Sequence, residues 1–174
     1  ALSNSISHIT GYGSILFFAT KNGVFKIDQE KKINSHFTTE NGLPHNNINQ
    51  LYLDENKDLW IATHSNFLSC INGKEEVTNK SVYNGNDLIN ITGIIKDVNK
   101  EFWLATFGNG VFRIKKSGEI ERFTTGNGLK SNYCYGITND ESNNIWVGHR
   151  GGLSRIKGER QQISRYGKND GING

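Results

Sequence analysis

The chain has 174 residues, of which 34% are hydrophobic and 10% aromatic, with 20 basic and 17 acidic side chains. Its aromatic and β-branched residues are too abundant for an intrinsically disordered chain, so we predict a folded protein. The basic residues are dispersed, which argues against a nucleic-acid partner. No apolar run reaches the ~18 residues of a membrane span, so we expect no direct membrane insertion by this segment.

Three landmarks recur every 43 residues along the chain. They are an aromatic residue (Phe17, Trp60, Trp103, Trp146), a glycine (Gly42, Gly85, Gly128, Gly171) and an aspartate (Asp54, Asp97, Asp140). A repeat of this length without helical periodicity is typical of a β-propeller blade, because solenoid repeats of similar length are helical. We predict a single domain, 1–174, with repeats at approximately 1–43, 44–86, 87–129 and 130–174.

Each repeat begins with two predicted strands. The first is an alternating run, INQLYLD at 48–54, matched by ITGIIKD and CYGITND. A polar hairpin turn follows (ENKD, VNKE or ESNN), and we expect the repeated aspartate to cap it through backbone N–H groups. The second strand, such as 59–63, is apolar on both faces, which indicates a strand between two others.

Two further strands complete the repeat. The third starts at a glycine expected to have positive φ, as in GVFKI, GVFRI and GLSRI, with the degenerate copy NFLSCI. The fourth is more polar (SHFTTE, SVYNG, ERFTTG, SRYGK), as a protected edge strand would be. The predicted fold class is therefore all-β, a β-propeller of four consecutive four-stranded blades, as a partial propeller or a fragment of a larger ring.

The repeated aromatic residue is expected to form the core between blades. Two residues later a small side chain, Ala19, Ala62, Ala105 or Gly148, leaves room for close approach. Cys134 stands where related segments place isoleucine, so we predict a buried apolar thiol.

The phrases NGLPHNNINQLYLDENKDLWIAT and NGLKSNYCYGITNDESNNIWVGHRGGLSRI resemble the two-component regulator propeller repeat. Gly42-Leu43, Asp54 and Trp60 match that pattern in the second repeat, and Gly128-Leu129, Asp140 and Trp146 match it in the fourth. The resemblance implies a periplasmic sensor region of a hybrid histidine kinase, often oligosaccharide-responsive. It also implies about seven blades, so four are too few.

Open blades expose an apolar face at each end, and such faces are expected to find partners. The alternatives are the remaining blades of a longer parent propeller, which we favour, a second copy of this chain in a homodimer, or closure as a small four-bladed ring. Two four-blade pieces joined end to end would bury both faces symmetrically.

Candidate ligand residues lie in two loop types expected on one face of a propeller. The inner set is His64, Asn66, Phe107, Asn109, His149 and Arg150, and the outer set is His45, Asn46, Lys130 and Asn132. Aromatic, amide and guanidinium groups suit a sugar or an anionic oligosaccharide. A surface histidine without a role is the simpler interpretation of each histidine. No HxH or HExxH spacing supports a metal, the aspartate turns lack a calcium-loop pattern, and no cofactor motif is present.

The resemblance therefore implies an extracytoplasmic, ligand-sensing propeller segment of a hybrid two-component system regulator, for signal transduction and carbohydrate sensing. The alternative is a protein-interaction scaffold with no small-molecule ligand. Catalysis is not expected, because the sequence has no GxSxG motif or phosphate loop and the inner-strand positions supply few acids. A propeller enzyme acting on glycans would need carboxylates that converge on the central channel.

Overall fold

The computed structural model describes residues 5–83, 85, 88–157 and 162–172, which fall into two compact units, 1–90 and 91–174. Unit 1 contains two four-stranded antiparallel sheets. Sheet 1 consists of β1 (Ile6–Tyr12), β2 (Ile15–Thr20), β3 (Gly23–Asp28) and β4 (Ile33–Phe37). Sheet 2 consists of β5 (Ile48–Leu53), β6 (Leu59–Thr63), β7 (Phe67–Ile71) and β8 (Val77–Ser81).

Unit 2 is built in the same way. Sheet 3 consists of β9 (Ile91–Lys96), β10 (Phe102–Thr106), β11 (Gly110–Ile114) and β12 (Ile120–Phe123). Sheet 4 consists of β13 (Cys134–Asn139), β14 (Asn144–His149), β15 (Gly152–Lys157) and β16 (Gln162–Tyr166). Each sheet pairs its strands in chain order, so the predicted all-β architecture of four-stranded sheets is confirmed.

The fourth strand of each sheet starts and ends earlier than the sequence pattern predicts. In sheets 1 and 3 the predicted threonine pairs lie outside the strand. The Thr38 and Thr124 hydroxyls instead cap short 3-10 turns, Thr39–Asn41 and Thr125–Asn127, by accepting from the amide two residues on. A threonine that caps the next turn ends the strand, because its hydroxyl competes for backbone hydrogen bonds.

The glycine that leads the third strand has the predicted positive φ. Gly23 has φ 102° and Gly110 has φ 83°. A Cβ at either position would lie 2.1 Å from the carbonyl oxygen that ends the fourth strand, of Phe37 or Phe123. Both the backbone angle and the space therefore require glycine there.

The repeated aspartate caps the first hairpin as predicted and also holds the tryptophan. Asp97 Oδ1 accepts from the amides of Asn99 and Glu101, at 2.8 and 3.0 Å. Asp97 Oδ2 accepts from the Trp103 indole N–H at 3.0 Å. The same indole bond occurs in sheets 2 and 4, at 3.0 and 2.8 Å. One carboxylate thus fixes both the turn and the ring.

The hydrophobic core of each unit lies between its two sheets. In unit 1 the cluster includes Phe17, Ala19 and Val24 of sheet 1 and Leu59 and Ile61 of sheet 2. The first strands of the two sheets, β1 and β5, lie side by side, as β9 and β13 do in unit 2. This is the arrangement expected for the inner strands of neighbouring propeller blades.

The expected burial of all four repeated aromatic residues is only partly correct. Phe17 is buried and Trp103 is fully buried, but Trp60 and Trp146 are half-buried. Trp146 lies on the face of sheet 4 opposite Ile145 and Val147, which pack on sheet 3. Trp103 is fully buried because sheet 4 covers its face.

Candidate functional site

Three aromatic side chains form an exposed cluster in unit 2. Phe107 is 44% exposed, Tyr133 52% and Tyr135 54%. The ring centroid of Phe107 lies 5.0 Å from that of Tyr133 and 5.7 Å from that of Tyr135, both edge to face. We call these three residues the aromatic cluster. Large rings grouped at a surface are typical of a binding site, because their exposure to water is unfavourable.

The β10–β11 loop and the start of β13 place these rings. Phe107 directly follows β10 and forms an isolated antiparallel bridge with Tyr133. Tyr135 lies at a β-bulge, where the pairing with β14 shifts between Cys134 and Gly136. Such a bulge changes the direction of a side chain and is common beside binding sites.

His149 holds the backbone beneath the aromatic cluster. Its Nδ1 lies 3.2 Å from the Tyr133 carbonyl oxygen, and its Nε2 lies 2.9 Å from the Ser154 hydroxyl. A carbonyl oxygen only accepts, so Nδ1 carries the proton and Nε2 accepts from Ser154. Burial lowers the pKa of His149, and the charge of Lys130 lowers it further, although the Tyr133 carbonyl opposes both. His149 is therefore buried and holds the Tyr133 backbone, and its predicted ligand role stays a prediction.

Asn132 connects the loop before β13 to the preceding turn. Its Oδ1 accepts from the Thr125 amide at 2.8 Å, and its carbonyl oxygen accepts from the Gly110 amide at 3.0 Å. In unit 1 the Asn46 Oδ1 accepts from the Thr39 amide at the same distance of 2.8 Å. Both amide oxygens thus fix loop geometry, and the ligand role of these two residues stays a prediction.

The corresponding loops of unit 1 bring two histidines together. The ring centroids of His45 and His64 are 5.7 Å apart, and the Asn47 amide donates to His45 Nδ1 at 2.9 Å. Asn66 Oδ1 accepts from the Ile89 amide at 2.8 Å, so this side chain holds the segment that precedes the next repeat. Unit 1 thus presents an imidazole pair, whereas unit 2 presents large apolar rings.

Three predicted ligand residues of unit 2 remain, namely Asn109, Arg150 and Lys130. Asn109 follows in the same loop as Phe107, and its carbonyl oxygen accepts from Arg122 Nε at 2.8 Å. Arg150 directly follows His149 and is exposed. The Lys130 side chain passes close to the Gly152 backbone. Their roles in ligand binding also stay predictions.

The ligand residues predicted from the sequence do not include the two tyrosines of the cluster. The segment Tyr133-Cys134-Tyr135 carried the signal that could have identified them. Successive side chains of an extended segment point to opposite sides, so a buried cysteine implies that both flanking rings point outward. Cys134 is indeed fully buried, and burial raises the pKa of its thiol to about 12, which confirms the predicted apolar role.

The described residues contain no group of three or more His, Cys, Asp or Glu side chains placed to hold a metal ion. In the same part of the chain, no helix is long and apolar enough to cross a membrane.

Residues 42–65 match the family model of the two component regulator propeller, which confirms the resemblance for that repeat. No curated protein matches the sequence.

Solved structures share the fold at low sequence identity. An extracellular domain from B. thetaiotaomicron, of a protein described as a hybrid two component system, is 22% identical with a TM-score of 0.81, over 99% of this chain and 24% of that chain. A second such domain from the same organism is 16% identical with a TM-score of 0.78, over 94% of this chain and 22% of that chain. Virginiamycin B lyase from Staphylococcus aureus is 18% identical with a TM-score of 0.77, over 94% of this chain and 56% of that chain.

These similarities identify the fold as that of β-propeller proteins. The chain spans about a quarter of the two extracellular domains that it matches. Because the same fold occurs in extracellular domains and in a lyase, the activity must be argued from side chains rather than from the fold.

Proposed function

We propose that this chain is a ligand-sensing propeller segment from the extracytoplasmic, periplasmic region of a hybrid two-component regulator, and that its ligand is an oligosaccharide. The observation that carries the ligand proposal is the aromatic cluster, with three large rings exposed side by side. The family match at 42–65 and the fold shared with extracellular domains of such systems support the sensor proposal.

The aromatic cluster suits a sugar because a pyranose ring is amphipathic. One face of the ring presents C–H groups that pack on an aromatic ring, while the hydroxyls at its edge stay hydrogen-bonded. Two of the three cluster residues are tyrosines, whose hydroxyl groups can bond to those edges. Asn109 lies two residues after Phe107 and Arg150 directly follows His149, and their amide and guanidinium groups would recognise further hydroxyls or a carboxylate of an acidic sugar.

The position of the cluster offers a route from binding to signalling. Phe107 belongs to a loop of sheet 3, whereas Tyr133 and Tyr135 begin sheet 4. A ligand that contacts both sides binds one arrangement of the two sheets better than another. It therefore shifts their equilibrium by its difference in affinity. We propose that this change in packing is what the sensor region transmits.

A titration tests the ligand and the site together. Glycan arrays and isothermal titration calorimetry would be run on the wild-type chain, on Tyr133→Ala/Tyr135→Ala and on the control Phe67→Ala, which removes an exposed ring in unit 1. We expect the double variant to weaken binding by about 10- to 100-fold and the control to bind as wild type. Chromatography of the recovered sugar should show it unchanged.

The outcomes separate the parts of the proposal. No glycan bound by the wild-type chain or by the complete sensor region would refute the oligosaccharide ligand. Undiminished binding by the double variant would refute the aromatic cluster as the site. A polypeptide captured from source cells through the cluster, without any sugar, would favour the interaction scaffold, and cleaved sugar would favour an enzyme.

A further inference from the structure

The second strand of every sheet ends at the same repeat position, and sheet 4 alone has a histidine there. Sheets 1, 2 and 3 end this strand on Thr20, Thr63 and Thr106, and sheet 4 ends it on His149. In sheets 1 and 3 the threonine hydroxyl donates to the carbonyl oxygen of the glycine that begins the third strand, at 2.8 and 2.7 Å. The threonine thus closes its own loop, and the histidine of sheet 4 makes different bonds.

His149 reaches beyond its own loop to the segment that carries the aromatic cluster. Its Nδ1–H donates to the Tyr133 carbonyl oxygen at 3.2 Å, and its Nε2 accepts from the Ser154 hydroxyl at 2.9 Å. The Ser154 oxygen in turn accepts from the Lys130 amide at 2.9 Å. The imidazole therefore connects the backbone of Tyr133 to β15 of sheet 4.

We propose that His149 is a positioning residue that holds Tyr133 in the aromatic cluster only while its imidazole is neutral, so that ligand binding at the cluster weakens as the pH falls. The titrating atom is Nε2, the ring nitrogen that accepts from Ser154. The ligand part rests on the proposed function, whereas the movement of Tyr133 can be observed without any ligand.

A proton on Nε2 is incompatible with the bonds that Ser154 makes. A hydroxyl has a single hydrogen, and that of Ser154 is donated to Nε2 while the oxygen accepts from the Lys130 amide. Once Nε2 is protonated, the hydroxyl must turn away, and its hydrogen loses its acceptor in a side chain that is fully buried. The charged ring is therefore favoured outside this position, and its departure releases the Tyr133 carbonyl oxygen.

The surroundings of His149 also disfavour its charged form. Among the described residues, the titratable or charged side chains that face it are Lys130, from the loop before β13, and Tyr133 and Cys134, from the start of that strand; Arg150 follows it in the chain. None of these is a carboxylate, which would stabilise an imidazolium. Burial above all, and then the Lys130 charge, lower the pKa of His149 from its ordinary value, although the Tyr133 carbonyl opposes both. Since the neutral ring holds Tyr133, binding is complete above this pKa and is lost as the pH falls through it.

An NMR titration of the wild-type chain from about pH 8 to about pH 4 tests the positioning role without a ligand. The Phe107 and Tyr133 rings, whose centroids are 5.0 Å apart, should show nuclear Overhauser contacts at high pH. We expect these contacts to be lost as the His149 ring becomes protonated, while circular dichroism shows that the fold persists. Contacts that remain after protonation, or a ring that stays neutral throughout, would overturn the proposal.

Two variants separate the protonation from a purely structural role. His149→Thr restores the residue of the other three sheets, and its hydroxyl can donate to the Gly152 carbonyl oxygen as that of Thr106 does to Gly110. The matched control His36→Gln replaces an exposed histidine of sheet 1 that is bonded to a backbone carbonyl oxygen. We expect the ring contacts of the threonine variant to be independent of pH and those of the control to follow the wild type.

Calorimetry at several pH values, with the oligosaccharide that binds most tightly on the glycan array, tests the consequence for the ligand. The wild-type affinity should fall by up to about tenfold per pH unit below the pKa of His149, because one proton is linked to release. The affinity of His149→Thr should be lower at high pH but constant over the same range, and a persistent pH dependence in this variant would refute the assignment. If no oligosaccharide binds, the proposed function fails, and the NMR titration still decides the positioning role.

Discussion

Trp103 and Trp146 occupy the same position in neighbouring sheets and share several local contacts, but they differ in burial. Each donates its indole N–H to an aspartate, at 3.0 and 2.8 Å, and each lies beneath an arginine, at 5.1 and 5.6 Å. Trp103 is fully buried, whereas Trp146 is half-buried. The hairpin thus determines the local contacts of the ring, and the neighbouring sheet determines its burial.

Sheet 1 shows what happens when the aspartate and the tryptophan are both missing. Phe17 replaces the tryptophan and has no N–H to donate, and Gly11 stands at the aspartate position of the repeat. The hairpin closes instead through the two residues Gly13 and Ser14, since Tyr12 pairs directly with Ile15. The carboxylate is therefore present where an indole needs an acceptor and a longer turn needs a cap.

The largest expected effect separates the two tryptophans by stability. Trp103→Ala should lower the free energy of unfolding by about 3–5 kcal/mol, because it opens a cavity in a fully buried site. Trp146→Ala should cost about 1–2 kcal/mol, since much of its ring is already in water. Urea denaturation followed by circular dichroism would measure both. Equal losses in the two variants would contradict the comparison.

A smaller effect on stability is expected for the replacement of glycines. The repeat requires glycine at Gly110 but not at Gly148. Gly110→Ala should destabilise the protein by about 1–3 kcal/mol, because φ is 83° and the new Cβ would lie 2.1 Å from the Phe123 carbonyl oxygen. At Gly148 the nearest atom to a new Cβ is 3.8 Å away, and Ala105 occupies the same repeat position. Gly148→Ala should therefore change stability by less than about 0.5 kcal/mol. Thermal melts of the two variants would test the difference, and similar melting temperatures would refute it.

The smallest effect concerns pH. The Trp146 indole N–H, followed by the Asn144 side chain and amide, lowers the pKa of Asp140 from 3.8 to about 2. Since the folded-state pKa lies below the unfolded one, the stabilisation is present above about pH 4 and is lost as the pH falls towards 2. Carboxyl NMR titration should give a midpoint near 2 for Asp140. Trp146→Phe removes the indole donor and should raise that midpoint, and an unchanged midpoint would contradict the assigned cause.

Much of the fold follows from residues that lie close together in the sequence. The structure confirms the predicted positive φ of Gly23 and Gly110 and the predicted aspartate caps. These features could be predicted because each depends on a few neighbouring residues. The fourth strands were misplaced because the pattern could not distinguish a threonine that pairs in a strand from one that caps a turn, as Thr38 does. The indole bond was missed because it joins residues that only the hairpin register brings together.

The candidate site was only partly predictable for the same reason. Phe107 and His149 were selected from the sequence because both follow a second strand, in loops of one type. The structure gives them different surroundings, since Phe107 is exposed beside Tyr133 whereas His149 is buried beneath it. Similar loop positions therefore did not imply similar exposure, because the burial of each side chain depends on the strand that lies next to it.

The 43-residue period, the four-stranded unit and the residues that shape each turn could be read from the sequence alone, because they depend on short-range geometry that recurs in each repeat. The tertiary structure was needed to show that sheet 4 covers the Trp103 ring and that three rings from two sheets form one cluster. A side chain is buried only when a second surface covers it, and the sequence of one sheet specifies only one of these two surfaces.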